Sequence, residues 1–506
     1  MSTALSALQP GAMRLSPPRE EDHTLKSVHA TPIACTSVLL LLLGCQHIAP
    51  RPLDWSKTAD ALRTRPIDVE PIMQYAEELA HQNTIAPAGP FNAADGLHLS
   101  EALAVALWYN LDLRAARLQV EQTESVARVS GRWPDPELGI AAGKKKSEDG
   151  ATEIVTFENG LQSASYEREA PDVDRTWISA ESLAITIPLS GRLRAEKQLR
   201  RTESTVARLR VAEAEWRLLS EVRNAWTQWS AVKERKRLLD EHLGLLSRFA
   251  ETTRLLADAG ELSPGSARLF AIEKMRTEAE RARVVQRESE SHAALLQLLG
   301  LLPDAPLELV PNLQISSPSG IPLPEVSTHP VLMSAKAAYQ VAEDALRLEL
   351  RKQYPDLTFS PAYSREEDES SLTLGLGMPV PVWNANRAGI AAAAGARDVA
   401  HAKAEAAYLG LMVEVKQAEA ALAGCRAQRE QLQEAVLPLV DAQLTEALAL
   451  LDAGEIDIVL LYEILDQVNE TKLELLNAVV SESIATTRFI ASTATDMTTI
   501  TTETTH

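Results

Sequence analysis

Apolar residues recur at intervals of three to four positions through most of this chain, and that period predicts long amphipathic helices. The two longest tracts run from about Gly191 to Asp258 and from Arg387 to Leu451. At about 1.5 Å per residue, each tract would extend for roughly 100 Å. Helices of this length favour side-by-side coiled-coil packing over a compact globule.

The second long tract carries an apolar seam with the spacing of about 3.5 residues that is typical of coiled coils. The seam consists of Leu411, Val415, Ala418, Leu422, Cys425, Leu432, Val436 and Leu439. Because Cys425 lies on it, we interpret this thiol as a packing residue in preference to a redox or metal-binding group. Pro438 removes one helical hydrogen bond, so a kink is expected near it.

Shorter helical patterns accompany the long tracts, and they match the long tracts only in pairs. They cover about residues 100–132, 264–299, 330–353 and 457–489. Placed end to end, two of them equal one unbroken helix in length. This predicts a wall of helices in which each long helix lies beside two shorter ones.

Period-two alternation marks strands between the helices. The apolar positions are Leu183, Ile185, Ile187 and Leu189 in the first half, and Leu372, Leu374, Leu376 and Met378 in the second. Each half of the chain offers two strands, and four are too few to close a barrel. An open sheet edge in lipid leaves backbone groups unsatisfied, so closure would require further copies of the chain.

Matched landmarks show that the chain is internally duplicated. DAGEL at Asp258–Leu262 and DAGEI at Asp452–Ile456 interrupt the helical tracts about 194 residues apart. WPD and YPD precede the strands, and Pro188 and Pro379 follow them in corresponding places. We therefore divide the chain into a first repeat at 97–310 and a second repeat at 325–490.

The N-terminal region has the pattern of a lipoprotein leader. An apolar run of about 12 residues from Ile33 to Gly44, with Lys26 before it, is too short to span a membrane and suits a signal-peptide core. It ends in Leu-Leu-Gly-Cys, which resembles a lipobox and predicts lipidation of Cys45 after removal of residues 1–44. An ordinary thiol at Cys45 is the alternative. Residues 45–96 would form an N-terminal arm, and the Thr-rich residues 491–506 a disordered tail.

Composition and charge exclude several functions. The formal net charge of −20 leaves no pervasive basic face, so nucleic acid is not an expected partner. GxxxxGK[ST], HExxH and CxxC motifs are missing, and the ten histidines are scattered. We expect no enzyme activity, no cofactor and no resident metal. GKKK at Gly143–Lys146 is interpreted as part of a solvated loop between the first two strands.

Together, the lipobox, the duplicated helix–strand–strand–helix–helix units and the strand-exit prolines resemble the TolC family of outer-membrane efflux proteins. WPDPEL, YPDLTF and the stretch from Met378 to Gly389 look most like its lipoprotein, heavy-metal branch of the CzcC and CusC type. The resemblance covers about residues 97–490. It implies a mainly α fold with a β-barrel contribution, in which a homotrimer closes a 12-stranded outer-membrane barrel above an α-helical periplasmic barrel.

The resemblance also implies partners: outer-membrane lipid, a periplasmic membrane-fusion adaptor and, through the adaptor, an inner-membrane pump of the RND class. The two Gly-centred turns would be the periplasmic tips where the adaptor docks. The residues matched to them are Ala259, Gly260, Glu261, Leu262 and Ser263 in one tip, and Ala453, Gly454, Glu455, Ile456 and Asp457 in the other. An ordinary helix-ending glycine explains either turn alone, and the identical pair favours docking.

In this family, acidic residues narrow the periplasmic mouth. Asp457, Glu463 and Asp466 fall at such places, where three chains would bring carboxylates together and attract cations. A solvated helix face is the alternative interpretation of these three residues. The expected function is an exit duct of a tripartite efflux system, with heavy-metal cations as cargo. A duct for drugs, or a periplasmic coiled-coil adaptor or scaffold, are the competing hypotheses.

Overall fold

A computed structural model of the chain describes residues 49–65, 72, 96–148, 151–153, 174–305, 307–313, 329–366, 369–452 and 457–493. The predicted leader, Cys45 and most of the N-terminal arm lie outside these residues. So do Ala453–Ile456 of the second tip and the Thr-rich tail beyond Thr493.

Each half of the chain contains one or more helices, antiparallel strands, a long helical tract and a further helix, in that order. The helices are α1 (Trp55–Arg63), α2 (Leu99–Tyr109), α3 (Leu111–Val129), α4 (Arg192–Asp258), α5 (Pro264–Leu298), α6 (Pro330–Lys352), α7 (Arg387–Glu430), α8 (Leu437–Asp452) and α9 (Ile458–Thr493). The strands are β1 (Glu137–Glu148), β2 (Ala151–Glu153), β3 (Asp174–Ile187), β4 (Leu357–Glu366) and β5 (Glu369–Gly377). Among the described residues, no helix is long and apolar enough to cross a bilayer.

Two units divide the chain, and the division falls after Asp60. The described part of the first unit contains most of α1, a helix that the sequence patterns did not indicate. Asp54 caps it by accepting a hydrogen bond from the Ser56 backbone N–H at 3.0 Å. All the features described below belong to the second unit.

All strands pair antiparallel in one sheet of order β2-β1-β3-β4-β5. The register places Leu138 opposite Leu183, and Phe359 between Ile185 and Leu376. One face of the sheet is therefore apolar, as the period-two pattern predicted. Its side chains on β5 are exposed in the single chain, with Leu372 at 72%. The interpretation of Gly143–Lys146 as a loop is wrong, because the β1 backbone pairs with β3 through these residues.

The long helix α4 packs against different shorter helices along its length. Near its N-terminus, the Thr202 hydroxyl donates to the buried Asp344 carboxylate of α6 at 2.6 Å. Farther along, Arg235 forms a 2.7 Å ion pair with Glu280 of α5. This confirms the predicted pairing of one long helix with two shorter ones.

Two apolar cores lie along these helices. The Trp226 cluster joins α2, α4 and the C-terminal end of α5, with Leu219, Leu103 and Leu296 among its buried members. The Phe270 cluster joins α4, α5, α8 and α9 nearer the first tip. Burial of such side chains contributes roughly 1.5–3 kcal/mol each, so these clusters hold the helices together.

The helix predicted over 100–132 is broken at Asn110. This residue adopts an extended ψ of 126°, and its side-chain oxygen accepts from the Leu113 backbone N–H at 2.9 Å to cap α3. Its amide also donates to the Leu298 carbonyl at 3.0 Å. Local capping and a contact with α5 therefore outweigh helical continuity at this position.

The second long tract is interrupted by a π-helix at Gln431–Val436, just before Pro438. Each wider turn accommodates one extra residue, which shifts the residues that follow relative to the neighbouring helix. The seam is buried as predicted at Leu411, Val415, Ala418 and Leu422. The prediction for Leu439 is wrong: this side chain is 72% exposed, and Val440 is buried in its place.

Candidate adaptor-docking tip and acidic mouth

The first tip begins where Gly260 ends α4. Gly260 has a φ of +80°, a left-handed conformation that side chains with a Cβ rarely adopt. Its N–H donates to the Ala257 carbonyl at 3.0 Å, and the Glu261 N–H donates to the Leu256 carbonyl at 2.9 Å. These two bonds form a Schellman motif, which satisfies the last carbonyls of α4 and turns the chain sharply.

The other side of this tip is formed by the start of α5. The Ser263 hydroxyl accepts from the Ser266 backbone N–H at 3.1 Å, and Pro264 occupies the first helical position, where no N–H is needed. Ala259, Gly260, Glu261 and Ser263 are exposed, whereas Leu262 is half-buried. The tip is thus a capped, rigid turn with its polar groups accessible to a partner.

Only the last residue of the predicted second tip, Asp457, is among the described residues. Its carboxylate accepts from the Val459 backbone N–H at 2.8 Å, and its carbonyl accepts the first helical bond of α9, from Leu461, at 3.0 Å. Asp457 therefore caps α9, and its negative charge complements the helix dipole.

The predicted mouth residues Glu463 and Asp466 are one turn apart on α9, so their carboxylates lie on the same face of the helix. Both residues are exposed. The structure brings these two together, with Asp457 at the start of the same helix.

A contact beside Asp466 links α5 and α9. The Tyr462 hydroxyl donates to the Glu273 carboxylate at 3.3 Å, and the Tyr462 ring meets Phe270 edge-on with 5.9 Å between centroids. Burial, with the charges of Glu273 and Asp466, raises the pKa of Tyr462 above its usual range. The phenol therefore stays protonated and keeps donating at physiological pH.

The sequence patterns did not single out Tyr462, Glu273 or the nearby His242. One signal could have identified His242: it lies three residues after Leu239 and four before Leu246, both fully buried. This spacing places an ionisable ring on the core stripe of α4. Among the described residues, no group of three His, Cys, Asp or Glu side chains has a metal-binding arrangement.

Duplicated long helices, a rigid turn between α4 and α5, and an antiparallel sheet with one exposed apolar face together define the class of the protein. The fold is that of solved outer-membrane channel proteins, as the comparisons below show.

Residues 326–491 match the model of the outer membrane efflux protein family. It is 23% identical over 380 residues to the cobalt-zinc-cadmium resistance protein CzcC of Cupriavidus metallidurans, covering 74% of this chain and 84% of CzcC.

Solved structures of outer-membrane channels share the fold. CusC superposes with a TM-score of 0.64 at 16% identity, over 78% of this chain and 91% of CusC. The Campylobacter jejuni channel CmeC gives a TM-score of 0.65 at 13% identity, over 88% of this chain and 94% of CmeC. These comparisons confirm the resemblance to the TolC family and the mainly α fold with a β-sheet contribution.

Proposed function

We propose that this chain is the outer-membrane exit duct of a tripartite efflux system, and that heavy-metal cations are its cargo. The similarity to CzcC, which extends over most of both chains, carries the choice of cargo. The duct would have no catalytic cycle of its own. An inner-membrane pump of the RND class, reached through a periplasmic adaptor, would supply the energy.

The sheet supports closure by three copies of the chain. Its apolar face is exposed in one chain, and β5 lies at one edge of the described sheet with unpaired backbone groups along its outer side. In lipid each unsatisfied group costs several kcal/mol, so the edges must pair with other strands. Three sets of the four long strands give a 12-stranded barrel, with the apolar face toward outer-membrane lipid.

The two tips would dock the adaptor. The Schellman turn at Gly260 is exposed and fixed by its own hydrogen bonds, so a partner can bind without ordering it first. Gly454 would provide the equivalent turn in the second tip. The helix after the first tip starts with Ser263 and Pro264, whereas Asp457 caps the helix after the second, so the adaptor contacts at the two tips need not be alike.

The acidic residues of α9 would form the cation-attracting mouth. Asp457, Glu463 and Asp466 from three chains would place nine carboxylates around one axis, at the end of the duct that the cargo enters. Lipidation of Cys45 would anchor the N-terminal arm to the outer membrane, and the helices would extend into the periplasm.

Metal tolerance of a deletion strain tests the function. Loss of the chain is expected to lower tolerance to cobalt, zinc and cadmium, and the full-length chain should restore it. Unchanged tolerance to all three metals, together with raised sensitivity to drugs, would overturn heavy-metal cations as cargo. Purified protein that is a lipid-free, water-soluble monomer would overturn the duct itself.

Tip variants test docking separately. Gly260→Pro and Gly454→Pro should abolish efflux while trimers remain in the outer membrane. Proline at position 260 also removes the hydrogen bond that the Gly260 N–H donates, and so changes the turn itself. Glu261→Lys is therefore a second variant, which leaves the turn intact. Site-specific cross-linking to the adaptor should fall for Glu261→Lys and stay normal for the matched control Glu121→Lys on α3. Equal cross-linking in all variants would remove the docking assignment.

A further inference from the structure

His242 is an ionisable residue in an apolar helix contact. It lies on α4 between the fully buried Leu239 and Leu246, and only 5% of its own surface is exposed. Among the described residues, its Nε2 has no hydrogen-bond partner. A buried polar atom without a partner costs about 1–3 kcal/mol, so this ring is an uncommon choice for a position that leucine would fill.

Charged groups from three helices surround this ring. Glu273 of α5 and Asp466 of α9 are close enough to act on its charge. Tyr462 of α9 is hydrogen-bonded to Glu273. His242 also borders a cavity of about 560 Å³ between α4 and α9, whose charged lining residues are Glu241, Arg248 and Lys472.

The ring therefore lies where the α4–α5 hairpin meets α9. The Tyr462–Glu273 hydrogen bond joins α9 to α5 in the same contact, and the mouth residue Asp466 of α9 is part of it. Any change in the hydration of the ring acts on the packing of the hairpin against α9.

We propose that His242 is a proton-sensitive latch of the duct: the neutral ring keeps the α4–α5 hairpin packed against α9, and protonation loosens this contact and widens the periplasmic mouth. The inference rests on the proposed function as a duct, and it adds a regulation that the proposed function does not require.

The direction follows from proton linkage. Burial lowers the pKa of His242 below its usual value, and the charges of Asp466 and Glu273 offset this only in part. The His242 ring in the packed contact therefore binds a proton more weakly than it does in a loosened contact, where the ring is hydrated and its pKa is about 6.5. The stabilisation is fully present above about pH 6.5 and is lost as the pH falls through the lower pKa of the packed state. Tyr462 remains protonated throughout this pH range, so of Tyr462 and His242 only the His242 imidazole titrates within it.

Conductance of the full-length trimer in planar lipid bilayers tests the latch between pH 8 and pH 5. Acidification favours the loosened contact in each chain, so wild-type open probability should rise as the pH falls from 8 to 5. His242→Leu, which suits the apolar site, should remain mostly closed at both pH values. His401→Leu is the matched control, because His401 is exposed on α7 and should leave the wild-type response unchanged.

Three results would overturn the latch: no pH response in the wild type, closure instead of opening at low pH, or the same response in His242→Leu as in the wild type. If His242→Leu does not assemble, His242→Gln retains a polar side chain without a titrating ring and should give the same loss of pH response. A protein that conducts equally at every pH contradicts only the latch. One that never conducts in any variant contradicts the proposed duct.

Discussion

The carboxylate of Glu482 on α9 is completely buried and is held by Arg429 of α7, whose guanidinium donates to it directly. Arg426, one turn earlier on α7, donates to the other carboxylate oxygen at 3.2 Å. Arg429 also donates to Gln433 inside the π-helix at 2.8 Å. The ion pair therefore fixes α7 to α9 immediately before the helix changes its register.

Replacing Glu482 with alanine should destabilise the protein, because it removes the buried carboxylate that the guanidinium groups of Arg426 and Arg429 share. Removing one partner of a buried pair costs about 3–5 kcal/mol, and the lower end is expected here because Arg426 retains contact with solvent. Thermal unfolding of the purified protein, followed by circular dichroism, should show a clear fall in Tm. The matched control Glu474→Ala on the exposed face of α9 should leave Tm close to the wild type, and an equal Tm for both variants would contradict the assignment.

Gly300 should tolerate no side chain. Its φ is +71°, and a Cβ at this position would come within 2.2 Å of the Tyr109 carbonyl oxygen. Because the Tyr109 carbonyl belongs to the backbone and cannot turn aside as a flexible side chain would, Gly300→Ala forces the end of α5 away from α2 and should lower Tm. Gly244→Ala is the opposite case, since Gly244 lies within α4 with open space around it. That substitution should stabilise the helix by about 0.5–1 kcal/mol. A fall in Tm as large as that of Gly300→Ala would contradict this contrast between the two glycines.

The sequence predicted features that depend on local periodicity. The bounds of α4 and the alternation in β3 and β5 were correct because burial of one face imposes a period of 3.6 or 2. The break at Asn110 was not foreseen, because it depends on the Leu298 carbonyl of another helix. The polar residues of β1 were wrongly assigned to a loop. They belong to the strand because their backbone pairs with β3 whatever their side chains are.

The candidate site shows the same difference between local features, which the sequence revealed, and contacts between distant residues, which it did not. Gly260 could be identified because a glycine at a helix end is a local signal, repeated at Gly454 in this chain. The partners of Glu482 could not, because Arg426 and Arg429 lie 56 and 53 residues away and no spacing rule connects them. His242 is intermediate: its place on a buried stripe was readable, but its neighbours Glu273 and Asp466 come from other helices.

The π-helix at Gln431–Val436 should behave as a one-residue insertion. Deleting the exposed Glu434 removes the extra residue while Val440 and the seam before the π-helix keep their faces, so the protein should assemble normally. Deleting Ala420 instead, within the regular part of α7, rotates the following seam residues by about 100° and should prevent assembly. The yield of assembled protein after membrane extraction measures both, and failure of the Glu434 deletion alone would show that the π-helix is required for folding.

The exposed carboxylates of Glu463 and Asp466 should make the duct prefer cations. In a water-filled mouth, a carboxylate about 4 Å from a monovalent cation attracts it by about 1 kcal/mol, and the proposed trimer would multiply the number of such groups by three. The double variant Glu463→Gln, Asp466→Asn should therefore lower the cation-to-anion permeability ratio, measured as the reversal potential under a salt gradient in planar bilayers. The preference of the wild type should weaken at about 1 M salt, where the screening length falls to about 3 Å, whereas Glu121→Gln on α3 should leave the ratio unchanged at low salt. A double variant with the wild-type reversal potential would mean that these carboxylates face away from the path of the ions, and the mouth would have to be sought elsewhere on α9.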